Sequence, residues 1–121
     1  MSLITRSERM ALVLDEAVRV LKPRGAWAKG GLAFDVDHRT VSPSSPNATC
    51  WCAIGALMKA QDNLKKEIDT AFAATNLVTA IEHSRKMTLL DSWNDMKSRR
   101  KKDVIDLFTR TAEELRKETA R

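Results

Sequence analysis

The sequence predicts an α+β fold that is mainly helical, with four to five helices and one short β-hairpin packed on them. Near both ends of the chain apolar residues recur at three- and four-residue spacing, which is the period of an amphipathic helix. Around position 34 they alternate with small or polar residues, which is the period of a half-buried strand. Tyrosine is absent and there are three Phe and three Trp. Aliphatic side chains must therefore fill the core, and they favour helices over a large sheet.

The first helix is predicted to begin at Thr5, because Thr5 and Glu8 have the spacing of a capping box. Pro23 and Gly25 are expected to end it. Its predicted buried stripe consists of Met10, Val13, Leu14, Ala17, Val18 and Leu21.

A β-hairpin is predicted to follow this helix. Leu32, Phe34 and Val36 form the first strand, residues 37–39 form the turn, and Thr40 begins the returning strand. Two strands alone are marginally stable in water, so this hairpin must pack on a helix.

The remaining helices are predicted after a loop rich in Ser and Pro at residues 42–47. The segment from Ala48 to about Gln61 is apolar on nearly every side, which indicates a buried central helix. A third helix is predicted over 64–81 and a short helical turn over 88–93. Ser98 is expected to cap a final helix. The predicted core face of that helix is Val104, Ile105, Phe108, Ala112 and Leu115.

The length of 121 residues predicts a single domain over residues 1–121. No stretch approaches the roughly 18 apolar residues of a membrane helix, and the N-terminus lacks the apolar core of a secretory signal. Cys50 and Cys52 lie too close in sequence for an unstrained disulfide, which indicates reduced thiols. These features predict a cytoplasmic protein with no membrane partner.

Cys50 and Cys52 are the strongest candidates in the sequence for chemically reactive side chains. A thiol in the first turn of a helix lies at the positive end of the helix dipole, where it would be a better nucleophile. A nucleophile also needs a base, and the spacing of His38 and His83 from the thiols is not diagnostic. Core packing of both cysteines is the favoured interpretation, because free Cys is among the most buried residue types.

A metal site is an alternative role for the same thiols. Both thiolates together with His38 and either Asp35 or Asp37 would supply enough ligands for zinc. However, Cys-x-Cys is not the usual zinc-knuckle spacing, and no second cysteine pair exists. Asp and His are also ordinary residues of a solvated turn. The favoured interpretation is therefore a turn without a metal or other cofactor.

A run of cations in the first turn of the final helix is the least expected feature of the charge pattern. The helix dipole favours anions in a first turn, whereas this one is crowded with cations. A bound phosphate would relieve the repulsion by accepting the side-chain charges and the free backbone donors. The candidate anion-binding residues are Lys97, Arg99, Arg100, Lys101 and Lys102. A solvated linker is the alternative interpretation. No aromatic residue interleaves with this run, so stacking on single-stranded nucleic acid is not supported.

Six short motifs occur in order along the chain. They are Trp27-x-x-Gly30, Phe34-Asp35-x-Asp37, Val41-x-Pro43, Pro46-Asn47-Ala48, Trp51-Cys52-Ala53-x-Gly55-Ala56-Leu57 and Trp93-Asn94-Asp95. In these motifs the chain resembles a family of small uncharacterised proteins of phages and bacteria. In that family the position of His38 is commonly Gly, which implies a turn residue. The resemblance implies a phage or prophage context and no catalytic assignment.

No complete catalytic constellation is present, and packing or capping explains every strong pattern. The favoured function is therefore a small non-enzymatic binding or accessory protein, with a protein partner or self-association. The first alternative is a nucleic-acid or phosphate binder acting through the cation run. The second alternative is a small thiol-dependent enzyme.

Overall fold

The computed structural model describes residues 6–64 and 93–119. Its helices in that part of the chain are α1 (Arg6–Leu21), α2 (Ala53–Asn63) and α3 (Lys101–Thr119), and its strands are β1 (Ala33–Phe34) and β2 (Cys50–Trp51). The α+β class is confirmed. The predicted number of four to five helices is not matched, because the described residues contain three complete helices. The helix predicted over 64–81 and the turn predicted over 88–93 lie outside them, apart from Leu64 and Trp93.

The described helices share one hydrophobic core. α1 packs against both α2 and α3. The stripe predicted for α1 is buried except Val18, which is half-buried at the edge of the core. On α3 the predicted face is also buried apart from the half-buried Ile105, and Leu107 joins it at 1% exposure. Thr5, the predicted start of α1, lies outside the described residues. None of the helices described is long and apolar enough to cross a membrane.

The strand pairing differs from the predicted hairpin. The predicted turn forms. It is closed by a hydrogen bond in which the backbone N–H of Asp35 donates to the Arg39 carbonyl oxygen at 2.9 Å. Beyond it, Phe34 and Thr40 make a single antiparallel bridge. The strand that pairs with β1 is instead β2, antiparallel, with Phe34 opposite Cys50.

The helix predicted over 48–61 was therefore wrong at its start. Its first residues are the strand β2, and α2 begins only at Ala53. The backbone of Trp51 donates to the Ala26 carbonyl at 2.8 Å and accepts from the Ala28 N–H at 3.0 Å. A short apolar run fits a buried strand as well as a buried helix. Pairing with chain segments distant in sequence decided between them here.

The predicted cap of the last helix was also wrong. α3 begins at Lys101, three residues after Ser98. The Asp103 carboxylate accepts the backbone N–H of Arg100 at 2.8 Å. An acidic side chain in the first turn that bonds back to the preceding backbone is one half of a capping box. Asp103 thus caps the start of the helix, and it also places an anion where the helix dipole favours one.

Candidate functional site

The side chain of Asn94 joins three segments of the chain and is fully buried. Its Oδ1 accepts the indole N–H of Trp27 at 2.7 Å and the backbone N–H of Ala53 at 2.9 Å. Its Nδ2 donates to the Ala28 carbonyl at 3.0 Å and to Asp95 Oδ1 at 2.9 Å. An amide side chain has two donors and two acceptor sites, and all four are used. Asn94 is therefore a structural connector with no capacity left for a ligand.

Two neighbouring contacts complete this Asn94 junction. Asp95 Oδ1 accepts the backbone N–H of Gly30 at 3.1 Å, and Lys29 Nζ donates to the Met96 carbonyl at 2.7 Å. The motif that begins at Trp27 is thereby bound to the motif that contains Asn94. Sequence reasoning missed this pairing, and the only signal of it was that both motifs occur in one resemblance.

Neither cysteine forms a disulfide, and both are buried, at 8% exposure for Cys50 and 2% for Cys52. Cys52 is the N-cap of α2, where its Sγ accepts the backbone N–H of Gly55 at 3.3 Å. The thiol thus takes the capping role that Ser or Thr usually performs. His38, the candidate base, is exposed in the turn, where its ring stacks on Phe34 with centroids 5.2 Å apart.

A small cavity opens beside Cys52. It is lined by Gly30, Gly31, Leu32, Cys52 and Asp95 and has a volume of about 210 Å³. Pockets for drug-sized ligands and cofactors measure roughly 300–1,000 Å³. The cavity is therefore sized for ordered water or a small chemical group rather than for a nucleotide cofactor.

Close packing explains two glycines, Gly55 and Gly31. A Cβ on Gly55 would collide with the carbonyl oxygen of Leu32, a backbone atom. A Cβ on Gly31 would lie 2.8 Å from Cζ of Phe34. The glycine of the Trp51–Leu57 motif is required because α2 begins directly against the segment that precedes β1.

The Asp35 carboxylate organises the turn between Phe34 and Thr40. Its Oδ1 accepts the backbone N–H groups of Asp37 and Arg39, both at 2.9 Å, and its Oδ2 accepts Arg39 Nε at 3.1 Å. The backbone bond from Arg39 is the largest cause of a lowered pKa for Asp35. Partial burial opposes it, and the Asp37 N–H and the Arg39 charge add to it.

The metal alternative requires ligands that lie together. Within residues 6–64 and 93–119, no group of three or more His, Cys, Asp or Glu side chains is placed to hold a metal ion. The structure therefore does not assemble the alternative ligand set Asp35, Asp37, His38, Cys50 and Cys52.

The cations at the start of α3 fall into two groups. Lys101 Nζ donates to the carbonyl oxygens of Lys22 and Pro23 at 3.0 and 2.9 Å. Arg99 Nε donates to the Trp93 carbonyl at 3.0 Å, and its guanidinium lies 3.9 Å from the centre of the Trp93 ring. These two cations hold the segment in place. The remaining members of the run are exposed: Lys97, Arg100 and Lys102.

The Lys101 contact brings a second basic segment to the same place. Residues 22–25 follow α1, and both of their cations are exposed. We use the name basic surface for the exposed cations of the two segments, Lys22, Arg24, Lys97, Arg100 and Lys102. Neither segment contains a carboxylate. Sequence reasoning did not include Lys22 and Arg24, because they are far from the cation run in sequence.

Comparison with known proteins shows the family to which the chain belongs. A family model described as a family of unknown function, DUF6197, matches residues 5–114. The chain belongs to the DUF6197 family. Neither the curated proteins nor the solved structures contain a match to the chain. The expected membership of an uncharacterised family is thereby confirmed, and the DUF6197 match covers both the Asn94 junction and the basic surface.

Proposed function

We propose that the protein is a small non-enzymatic binding protein whose basic surface binds a phosphate-bearing polyanion. The observation that carries this proposal is the contact of Lys101 with the Lys22 and Pro23 carbonyls. It sets two basic segments side by side, so that their exposed cations act on the same partner. The formal charge of +5 adds a long-range attraction to anions.

The side chains that could take part in catalysis instead make bonds that hold the fold together, and this supports a binding function over a catalytic one. Asn94 is saturated by hydrogen bonds, Cys52 caps a helix, and Asp35 holds a turn. A catalytic group needs a free donor, acceptor or nucleophilic atom that faces a substrate. In the part of the chain that the structure describes, the side chains of the basic-surface cations make no hydrogen bond or ion pair that would hold the fold together.

The start of α3 strengthens the basic surface as an anion site. Backbone N–H groups are free at a helix N-terminus, and the dipole attracts negative charge there. The Asp103 carboxylate takes the N–H of Arg100 but leaves the Arg100 side chain exposed. A phosphate would therefore meet the Arg100 side chain, while the Arg100 N–H is already bonded to Asp103.

The test is binding of a fluorescein-labelled mixed-sequence oligonucleotide, followed by anisotropy across a salt titration. The protein is compared with R100Q/K102Q and with K22Q/R24Q. A matched control, R110Q/K117Q, removes the same charge from exposed positions further along α3. We expect each basic-surface variant to weaken binding about tenfold at low salt and the control to change it little.

Two outcomes would contradict the proposal. One is the absence of binding to the oligonucleotide and to inorganic polyphosphate at low salt. The other is an equal loss of affinity in the control variant, since net charge alone would then explain the attraction. Circular dichroism of each variant verifies that the fold is retained.

Self-association is a second candidate, favoured by one observation. Val36 at the tip of the turn is 83% exposed, and its burial against a second copy would remove an aliphatic side chain from water. Sedimentation equilibrium of the protein and of V36S tests it. Association that weakens in V36S supports this candidate, and a monomer at all concentrations removes it.

A phage or prophage origin and a cytoplasmic location complete the proposal. The motif resemblance, from Trp27 to Asp95, supports the origin. Neighbouring genes that encode phage proteins are the expected context, and genes of unrelated cellular pathways would contradict it. Fractionation of cells that express the chain tests the location.

A further inference from the structure

We infer that the partner of the basic surface is double-stranded nucleic acid, held by its phosphates and not by its bases. This inference rests on the proposed function and narrows the partner of the same surface. It depends on what surrounds the cations as well as on their charge.

The first argument is that, among the described residues, no aromatic ring belongs to the basic surface. Proteins that bind single strands stack successive bases on aromatic rings, at about 1–3 kcal/mol per base. Trp93 is the aromatic residue closest in sequence to the cation run, and it is only 3% exposed, with the Arg99 guanidinium over its ring. Segments 22–25 and 97–102 contain no Phe or Trp. A single strand would therefore gain phosphate contacts without stacking.

The indole groups elsewhere in the described part of the chain are committed to the fold. Trp27 Nε1 is bound by Asn94, and Trp51 Nε1 donates to the Pro43 carbonyl at 3.0 Å. Both rings pack against the core. Neither ring belongs to the basic surface, so they supply no alternative stacking platform beside the cations.

The second argument is the density of negative charge on the partner. A duplex carries one charge per roughly 1.7 Å of axis, and each neutralised phosphate releases about 0.9 counterion, against about 0.7 on a single strand. For the same set of cations a duplex therefore gains more from counterion release. The difference is largest at low salt.

The third argument is that the cations are presented on a fixed backbone. Lys101 ties the start of α3 to the end of α1, and Arg99 ties the preceding residues to Trp93. A duplex presents its phosphates in a rigid array, which suits a preorganised surface better than a flexible chain does. Contacts to phosphates position a protein without reading the bases, so we expect little dependence on base sequence.

The experiment compares three probes with the full chain at low salt: a 20-base-pair DNA duplex, a single strand of the same length, and inorganic polyphosphate. We expect the duplex to bind about tenfold more tightly than the single strand, and an AT-rich and a GC-rich duplex to agree within about threefold. The log–log salt slope for the duplex should fall by about 1.8 in K22Q/R24Q, since two phosphate contacts are lost. It should remain unchanged in R110Q/K117Q.

The outcomes separate this inference from the proposed function. If the single strand or polyphosphate binds as tightly as the duplex, the inference is overturned while a polyanion partner stands. If K22Q/R24Q keeps the full salt slope, the segment that follows α1 makes no contact and the inference is likewise overturned. If none of the three probes binds, both proposals fail.

Discussion

The carboxamide oxygen of Asn94 lies 2.7 Å from the indole nitrogen of Trp27, a residue 67 positions earlier in the chain. The same oxygen also accepts the first backbone N–H of α2, from Ala53. One buried side chain thus fixes the relative positions of the segment that precedes β1, the start of α2 and the segment that leads to α3. The Asn94 junction therefore fixes the start of the segment that leads to α3 and carries Lys97 and Arg100.

Replacement of Asn94 by Ala should lower the free energy of unfolding by about 3 kcal/mol, because the buried N–H of Ala53 and the part-buried carbonyl of Ala28 lose their partner. Urea unfolding followed by tryptophan fluorescence measures the change. N47A, at an exposed Asn in the loop, is the control and should stay within about 0.5 kcal/mol of the wild type. Equal midpoints for the two variants would show that the junction contributes no stability.

Replacement of Gly55 by Ala should destabilise the protein by about 3 kcal/mol, at the upper end of the usual range for overpacking. The new methyl group would meet the Leu32 carbonyl, a backbone atom that cannot rotate away. G25A is the control, because Gly25 has a φ of +79° but open space around it. It should cost about 1 kcal/mol from backbone strain alone. If G55A and G25A are destabilised equally, the close approach of α2 to the Leu32 segment is contradicted.

Cys50 and Cys52 should react slowly with a thiol reagent at neutral pH and rapidly in urea, because both are buried in the fold. C52S should retain stability within about 1 kcal/mol, since Ser is a preferred N-cap. C52A should lose about 0.5–2 kcal/mol. Fast labelling of the native protein would contradict the packing role and revive the thiol-enzyme hypothesis.

The turn around Asp35 should weaken in acid. The pKa of Asp35 is lower in the folded protein than the value of about 3.9 for an unfolded chain, so the ionised carboxylate stabilises the fold at any pH above that value. This stabilisation disappears as the pH falls through the pKa of the folded state. The unfolding free energy of D35N should therefore change less between pH 6 and pH 2.5 than that of the wild type. D37N, at an exposed carboxylate, is the control and should keep most of the wild-type pH dependence. Identical pH profiles for D35N and the wild type would exclude this role.

The two long helices could be predicted because their signals are local. The stripe from Met10 to Leu21 and the face from Val104 to Leu115 are repeated over several turns, and each turn adds to the same hydrophobic face. The turn at residues 35–39 was also predictable. His38 has a φ of +65° there, the left-handed conformation in which Gly is preferred.

The start of α2 could not be predicted in the same way. The residues from Cys50 to Leu57 are apolar on all sides, so their pattern has no period that distinguishes a strand from a helix. Trp51 became extended because the Ala26 and Ala28 backbones bond to it from one side and β1 pairs on the other. The helix α2 begins at Ala53. There the Cys52 thiol accepts the backbone N–H of Gly55, and the Asn94 side chain accepts that of Ala53.

By itself the sequence determined the α+β class, the amphipathic faces of α1 and α3, and the excess of positive charge, because each of these is a property of neighbouring residues. The tertiary structure alone decided that Trp51 is a strand residue, that Asn94 bonds to Trp27, and that Lys22 and Arg24 join the cations before α3. These outcomes depend on contacts between groups far apart in the chain. A buried donor or acceptor must find its partner wherever the packed chain brings one, and sequence spacing holds no record of where that is.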